Sequence, residues 1–246
     1  MQACTIVTGA ASGIGLACVD ALLAHGDAVF AVDRMPIPRQ HALLSTLEID
    51  ITNLGAPQEI CLKAQEFGTS IAGFVHAAGI NRLCHPFDVD EHHWDTVMNV
   101  NAKATWFVTA AVLKQMCFQR TGSIVLLASI AGKMASTIQH PVYNISKAAV
   151  IAMTKTFAQT VAETGVRVNC VCPGIIDTPM QQHVTAHLAD DTQSTVHVLQ
   201  QRLAKVPLAR MGSAGEVAQV IMFLLGAQSS YIHGQALNID GGLISY

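Results

Sequence analysis

Short apolar runs alternate with longer segments of helical character along this chain. We predict strands at 5–7, 28–32, 47–49, 71–76, 123–128, 166–171 and 235–239. Between them, helices are predicted at 14–25, 58–67, 94–118, 143–163 and 214–225. Strands that alternate with helices are typical of βαβ units, in which the strands of one sheet are parallel.

The strand predicted at 123–128 is apolar at consecutive positions rather than at alternate ones. Such a strand is typical of a parallel sheet that helices cover on both faces. We therefore predict an α/β fold, a doubly wound parallel sheet of about seven strands with helices on both faces. No repeat or linker interrupts the sequence, so residues 1–246 are expected to form a single domain.

Two segments depart from the alternation. Only sixteen residues separate Asp33 from Asp50, and they include Pro36 and Pro38, so a loop or a short helix is expected instead of a full crossover helix. The segment 173–208 has few strand signals and many polar residues, and a helix is expected around 183–204. Because substrates bind at the strand ends of open sheets, 178–208 is predicted to be a substrate lid.

Composition excludes several classes of protein. Hydrophobic residues make up 51% of the 246 residues and charged residues 13%, the opposite of an intrinsically disordered chain. The 14 Lys and Arg do not outnumber the 17 Asp and Glu, so a basic surface for nucleic acid is not expected. No apolar run reaches the ~18 residues that cross a bilayer, and no secretory leader is recognised. A cytoplasmic protein that binds neither membrane nor nucleic acid is expected.

The scarcity of charge is concentrated in a few segments. Residues 213–246 carry only Glu216 and Asp240, and residues 99–118 carry only Lys103 and Lys114. Helices of a doubly wound domain should each have one solvated face. We therefore predict that these faces meet other subunits, since large apolar interfaces are typical of obligate homo-oligomers.

The seven cysteines and eleven histidines do not predict a metal centre. Cys170 and Cys172 are two positions apart on a predicted strand, where both sulfurs point to one face and suit packing. His183 and His187 have the spacing of ligands but lack the glutamate of the zinc-protease pattern. Free thiols and no metal are expected.

A glycine-rich segment follows the first strand and opens the first helix. Its sequence is Thr8-Gly9-Ala10-Ala11-Ser12-Gly13-Ile14-Gly15, and glycines there let the backbone approach a pyrophosphate at the helix N-terminus. Asp33 lies eighteen residues after Gly15, at the end of the second strand. An acid there accepts ribose hydroxyls and repels a 2′-phosphate, which predicts NAD rather than NADP. The neighbouring Arg34 argues in the other direction.

A tyrosine and a lysine share one face of a predicted helix in Tyr143-Asn144-Ile145-Ser146-Lys147. A lysine ammonium favours the phenolate and would move the tyrosine pKa from about 10 towards the working range of an acid–base catalyst. Ser129 lies fourteen residues upstream, at the carboxyl end of a predicted strand, where the site of a doubly wound sheet is expected.

In combination, these segments resemble the short-chain dehydrogenase/reductase family. The resemblance extends from residue 3 to residue 242, and the combination is specific although each motif alone is common. It implies a Rossmann fold, nicotinamide-dependent oxidation or reduction of a small-molecule substrate, and a homotetramer, with a dimer as the alternative. The matching motifs are Thr8-Gly9-x-x-x-Gly13-x-Gly15, Asp50, Ala77-Ala78-Gly79, Asn101, Ser129, Tyr143-x-x-x-Lys147, Pro173-Gly174-x-x-x-Thr178 and Asp240-Gly241-Gly242.

The resemblance also implies roles for particular residues. Tyr143 would be the general acid/base, Lys147 would lower its pKa and bind the nicotinamide ribose, Ser129 would bond the substrate oxygen, and Asn101 would hold a water for proton relay. His140, three residues before Tyr143, is the expected further polar contact to the substrate. The implied cofactor-binding residues are Gly9, Ser12, Gly13, Ile14, Gly15, Asp33, Asp50, Ile51, Ala77, Gly79, Tyr143, Lys147, Pro173, Gly174, Ile176 and Thr178.

One motif departs from the family, which usually has Asn-Asn before Ala-Gly, where this chain has His76-Ala77. His76 would steady the sheet through a ring nitrogen, and its protonation would then matter near pH 6.5.

The substrate pocket is expected to be lined by 130–142, 175–180 and 183–204. Because no Lys or Arg occurs between 180 and 201, a neutral polyol, a cyclic dihydrodiol or a small hydroxyketone is favoured, and NAD favours oxidation. The alternatives are a 3-oxoacyl-type reductase, an epimerase or dehydratase of the same fold, and a non-catalytic NAD-binding regulator.

Overall fold

A seven-stranded, fully parallel sheet forms the centre of the protein. The computed structural model describes residues 2–135, 139–189 and 194–245. The strands are β1 (Cys4–Thr8), β2 (Ala28–Asp33), β3 (Leu44–Glu48), β4 (Ile71–His76), β5 (Gly122–Leu127), β6 (Val166–Pro173) and β9 (Ala236–Ile239), with a separate short pair β7 (Ile176–Asp177) and β8 (Gly212–Ser213). The order in the sheet is β3-β2-β1-β4-β5-β6-β9. Strands β2 and β3 therefore lie on one side of β1, and the later strands lie on the other side.

Helices cover both faces of the sheet, which confirms the predicted doubly wound α/β fold. In the described ranges they are α1 (Gly13–His25), α2 (Ala56–Phe67), α3 (Glu91–Met98), α4 (Thr105–Gln119), α5 (Pro141–Val161), α6 (Pro179–Leu188), α7 (Thr195–Leu203) and α8 (Ala214–Leu225). Helices α1 and α8 pack together on one face, and α2, α4 and α5 lie on the other. Within the described residues, no helix is both long and apolar enough to cross a membrane.

Consecutive strand residues enter two different hydrophobic cores. Ile124 and Leu126 of β5 belong to the core beneath α2, α4 and α5, whereas Val125 and Leu127 belong to the core beneath α1 and α8. All four side chains are at most 9% exposed. The apolar run in this strand is therefore continuous because each face has its own helical cover.

Several boundaries match the predictions and others do not. β4 and α8 begin and end at the predicted residues. The helix predicted over 94–118 is instead interrupted by a π-helical turn, Asn99–Ala104, between α3 and α4. No helix forms between β2 and β3, and β3 begins at Leu44, three residues earlier than predicted.

The segment predicted as a lid contains two helices, α6 and α7. Residues 190–193 between them lie outside the described part, as do 136–138 of the predicted pocket lining. Both helices follow β6 and the short strand β7, so the excursion starts beyond the carboxyl end of β6.

Candidate active site

A cavity of about 920 Å³ opens at the carboxyl ends of the strands. The residues that follow β1, β2, β4, β5 and β6 line it, together with parts of α5, α6 and α7. The site residues implied by the sequence all line this cavity except Asn101, which lies behind it. The structure therefore brings together side chains that are up to 169 positions apart in the chain, from Gly9 to Thr178.

The glycine-rich turn between β1 and α1 forms one end of the cavity. Gly9 has a φ of +69°, and a Cβ there would lie 2.5 Å from the backbone nitrogen of Ala78, so only glycine fits. Ser12 precedes α1, and its side chain makes no capping hydrogen bond. The first turn of α1 contains no acidic residue. The free N–H groups and the dipole of this helix end suit a diphosphate.

Asp33 lies beside this turn at the end of β2. Its two carboxylate oxygens accept hydrogen bonds from the backbone N–H of Ala11 and of Met35, both at 3.0 Å. These bonds fix the carboxylate against the glycine-rich turn, where it faces the cavity with Arg34 as an exposed neighbour. Further along the wall, hydrogen bonds from Thr52 lower the pKa of Asp50.

Lys147 on α5 carries an ammonium group into the interior. The side chain is 5% exposed, and its Nζ donates to the carbonyl of Leu127 at 2.8 Å. Burial lowers its pKa from 10.5 to about 8. A Cβ on Gly79 would lie 3.3 Å from both Lys147 Nζ and Asn101 Oδ1, so both polar side chains pack against the position that a larger residue would occupy.

Tyr143 lies one helical turn before Lys147, with the ammonium 5.7 Å from the centre of its ring. Burial raises the pKa of Tyr143 to about 12, and a hydrogen bond with Ser129 offsets only part of this effect. Burial therefore outweighs the lowering of the Tyr143 pKa that is expected from Lys147, and the net shift is upward. Without a further positive charge nearby, the phenol stays protonated at neutral pH.

Ser129 follows β5 and is positioned by a short 3₁₀ turn, Ile130–Gly132. Its Oγ accepts the backbone N–H of Ala131 at 3.1 Å, so the hydroxyl hydrogen can be donated to Tyr143 or to a bound substrate. Ser129 and Tyr143 thus offer two hydroxyl groups to one point of the cavity wall. Such a pair suits the oxygen of an alcohol or a carbonyl group.

Asn101 lies in the π-helical turn and is fully buried. Its Nδ2 donates to the carbonyl of Ile80 at 2.8 Å and to Ser146 Oγ at 3.0 Å, and its Oδ1 accepts the N–H of Ile80 at 2.8 Å. The side chain therefore ties the loop after β4 to the helix that carries Tyr143 and Lys147. The backbone carbonyl oxygen of Asn101 accepts the Thr105 hydroxyl at 2.7 Å.

His76 links this turn to the sheet. Its Nε2 lies 3.0 Å from Thr105 Oγ1 and its Nδ1 lies 2.9 Å from Thr8 Oγ1. Because the Thr105 hydroxyl already donates to Asn101, His76 must donate from Nε2 and accept at Nδ1. Burial, with a smaller effect from Lys147, lowers its pKa to about 3. The prediction that His76 changes protonation near pH 6.5 is therefore wrong for the folded protein.

The substrate end of the cavity contains His140, for which the sequence indicated a role, and two cations for which it indicated none. His140 is 4% exposed, with its ring centre 6.0 Å from that of Tyr143 and its Nδ1 3.3 Å from Asn81 Nδ2. Arg202 and Lys205, on and after α7, also line this cavity. Arg202 lies within the predicted pocket lining 183–204 and Lys205 follows that segment directly, but the sequence pattern did not indicate that these cations would contact the substrate.

Comparisons with known proteins agree with this geometry. A family model described as "Enoyl-(Acyl carrier protein) reductase" matches residues 9–244. The chain is 38% identical to the 3-oxoacyl-(acyl-carrier-protein) reductase FabG of Thermotoga maritima over 251 residues, which cover 97% of this chain and 96% of that protein. It is 32% identical to dehydrogenase/reductase SDR family member 6 of Xenopus laevis over 243 residues, with 96% and 95% covered.

A solved structure of an actinorhodin polyketide ketoreductase with NADPH superposes on the whole chain. Its TM-score is 0.91 at 29% sequence identity, and the match covers 100% of this chain and 98% of that one.

Proposed function

Because this chain belongs to the short-chain dehydrogenase/reductase family, we propose that it is an NAD-dependent oxidoreductase that interconverts a secondary alcohol and a ketone. The observation that carries the proposal is the meeting of Ser129, Tyr143 and Lys147 in one cavity with the glycine-rich turn and Asp33. The direction favoured is oxidation.

The donor set of the cavity fits a nicotinamide dinucleotide. The glycine-rich turn and the N-terminus of α1 would hold the pyrophosphate, Asp33 the adenosine ribose, and Asp50 with Ile51 the adenine. Lys147 and the segment 173–178 would hold the nicotinamide end. When bound, this cofactor accepts or supplies the hydride, so that an alcohol and the oxidised cofactor give a ketone, the reduced cofactor and one proton.

The preference for NAD over NADP rests on Asp33. Its carboxylate is held by two backbone N–H groups on the cavity wall, where it would repel a 2′-phosphate. The ketoreductase structure contains NADPH, and Arg34 of this chain is exposed beside Asp33. Comparison of kcat/KM with NAD⁺ and NADP⁺ decides between the two cofactors.

The protein side chains supply proton transfer and position. Tyr143 takes the proton of the alcohol, or returns it to the carbonyl oxygen, while the Ser129 hydroxyl holds the same oxygen. Lys147 places a positive charge 5.7 Å from the Tyr143 ring centre, and the cationic ring of an oxidised nicotinamide would add to it, which favours the phenolate. Asn101 holds the helix that carries both residues. Helices α6 and α7 would cover the bound substrate.

A homotetramer, with a dimer as the alternative, is proposed from exposed apolar side chains on α4 and α5. Trp106, Phe107, Phe118 and Ile145 are 38%, 53%, 89% and 47% exposed. Another copy of the chain would remove them from water. Multi-angle light scattering at micromolar concentration tests this, and a monomer would contradict it. A cytoplasmic location stays a prediction.

Reduction of a 3-oxoacyl thioester is the second candidate function. It is favoured by the relative that is 38% identical and carries that name. An acetoacetyl thioester of N-acetylcysteamine, supplied with NADH or NADPH, tests this reaction separately from free alcohols and ketones.

The experiment on the main proposal follows NADH absorbance with NAD⁺ and a panel of secondary alcohols. Tyr143→Phe should reduce turnover by about 100-fold or more, the usual contribution of a positioned acid–base group, while cofactor binding persists. Tyr231→Phe, at a fully exposed tyrosine, is the matched control. Full activity of Tyr143→Phe would disprove the mechanism. NAD binding without turnover of any alcohol, ketone or thioester would indicate the non-catalytic regulator.

A further inference from the structure

We infer that Arg202 binds an anionic end of the substrate, so that the substrate is a short hydroxy acid or oxo acid with a carboxylate or sulfonate group. The inference rests on the proposed oxidoreductase function and replaces the neutral substrate that the sequence favoured. That expectation depended on the absence of Lys and Arg from 180–201. The structure instead brings the next arginine in the chain into the cavity wall.

Arg202 is a half-buried cation with unused hydrogen-bonding capacity. Its Nη1 is buried and has no hydrogen-bond partner among the described residues. Burial also lowers its pKa from 12.5, but a guanidinium stays charged in proteins. A buried charge without a partner is costly, and such a group is usually paired in the functional complex.

No protein carboxylate in the described cavity wall compensates this charge. Among the described lining residues, the acidic side chains are Asp33 and Asp50. Both lie at the opposite end of the cavity, which is assigned to adenosine. The ion pairs between described residues involve other cations. Lys205, exposed and on the same cavity wall, adds a second positive charge. The described residues at this end of the cavity are therefore electropositive.

Arg202 lines the same cavity as Tyr143, the group proposed to transfer the proton. Arg202 and His140 both line this cavity, and burial, with smaller effects from Arg202 and then His187, lowers the His140 pKa to about 4. The His140 ring in turn packs 6.0 Å from the Tyr143 ring, centre to centre. A substrate whose oxygen meets Ser129 and Tyr143 would extend past His140 to Arg202. A planar guanidinium matches a carboxylate in a bidentate geometry.

His140 supports this arrangement as a neutral donor. Asn81 Nδ2 donates to its Nδ1 at 3.3 Å, so the ring hydrogen is on Nε2. A neutral imidazole N–H can hydrogen-bond an oxygen of the substrate without requiring a counter-charge of its own.

The test compares acids with their isosteric amides. The probes are 2-hydroxypropanoate, 3-hydroxybutanoate and 4-hydroxypentanoate, each beside its carboxamide, with 2-hydroxypropane-1-sulfonate to distinguish sulfonate from carboxylate. For the acid of best length, kcat/KM should exceed that of its amide by about 100-fold, as expected for a buried charge pair. In Arg202→Met this ratio should fall close to one, and Arg202→Lys should retain part of it. Arg82→Met, at an exposed arginine outside this cavity wall, is the matched control.

The outcomes separate this inference from the proposed function. Equal turnover of acids and amides that depends on Tyr143 would keep the oxidoreductase and overturn the anionic substrate. A raised KM for NAD⁺ in Arg202→Met, with an unchanged acid-to-amide ratio, would make Arg202 a cofactor ligand and would also overturn it. Calorimetric binding of the oxo acid and oxo amide provides a readout without turnover. If the wild-type protein binds the two equally, the inference fails even when no alcohol is oxidised.

Discussion

The ammonium of Lys147 should make the folded protein less stable at neutral pH than at alkaline pH. Burial lowers its pKa from 10.5 to about 8. Because the folded pKa lies below the unfolded one, the unfolded chain binds more protons between these values, and the free energy of unfolding rises with pH there. The contribution is unfavourable at pH 7 and disappears as the pH approaches the unfolded pKa.

The magnitude follows from the same two pKa values. A difference from 10.5 to about 8 corresponds to an unfavourable contribution of about 3 kcal/mol at pH 7, of which ~2.5 kcal/mol should be recovered by pH 10. Lys147→Met lacks this titration but also loses the hydrogen bond to Leu127. A single stability measurement at one pH therefore combines both effects. The pH dependence of the difference in unfolding free energy between variant and wild type reports the titration alone.

The assay is urea unfolding of wild type and Lys147→Met at several pH values between about 7 and 10. Across this range, the free energy of unfolding of the wild-type protein should rise by about 2.5 kcal/mol relative to that of the variant. Lys155→Met, at an exposed position of the same helix, should show no such change. A second comparison, in which both the wild-type protein and Lys147→Met also carry Tyr143→Phe, removes the titration of the phenol. A difference constant to within about 0.5 kcal/mol would refute the argument that burial lowers the pKa of Lys147.

Two further changes test the cofactor end and the sheet. Asp33→Asn removes a negative charge while keeping a hydrogen-bond acceptor for the N–H of Ala11 or Met35. The ratio of kcat/KM with NAD⁺ to kcat/KM with NADP⁺ should fall by about tenfold or more. An unchanged ratio would show that Asp33 does not select the cofactor. His76 has a folded pKa of about 3, below its unfolded value of about 6.5, so stability should fall as pH decreases below 6.5. Relative to His76→Asn, wild type should lose about 2 kcal/mol between pH 7.5 and 5 in urea unfolding, and parallel curves would contradict the burial of a neutral imidazole.

The sheet was predictable because its buried strands consist of consecutive apolar residues. In β4 and β5 both faces are covered, so the pattern marks the strands with little ambiguity. β3 was placed too late because it is an edge strand, half exposed and with polar residues such as Ser45 and Thr46. Its pairing with β2 decides its extent, and that information is not local.

The candidate site was predictable where its residues belong to motifs, and less so elsewhere. Tyr143, Lys147 and the glycine-rich turn have fixed spacings, whereas Arg202 enters the cavity only through the path of α6 and α7. The π-helical turn was missed because Asn99–Ala104 contains no Gly or Pro to mark an interruption of the helix. The protonation state of His76 could not be read from the sequence. Its pKa depends on burial, and its tautomer depends on two threonine hydroxyls.

The π-helical turn fixes the number of residues between α3 and α4. Such a turn accommodates one residue more than an α-helix of the same length and often occurs at functional sites. Deleting a single residue from Asn99–Ala104 would allow one continuous α-helix and would remove the widened turn that holds Asn101. Asn101 would then turn away from Ile80 and Ser146. In evolution this segment should therefore accept substitutions far more readily than insertions or deletions.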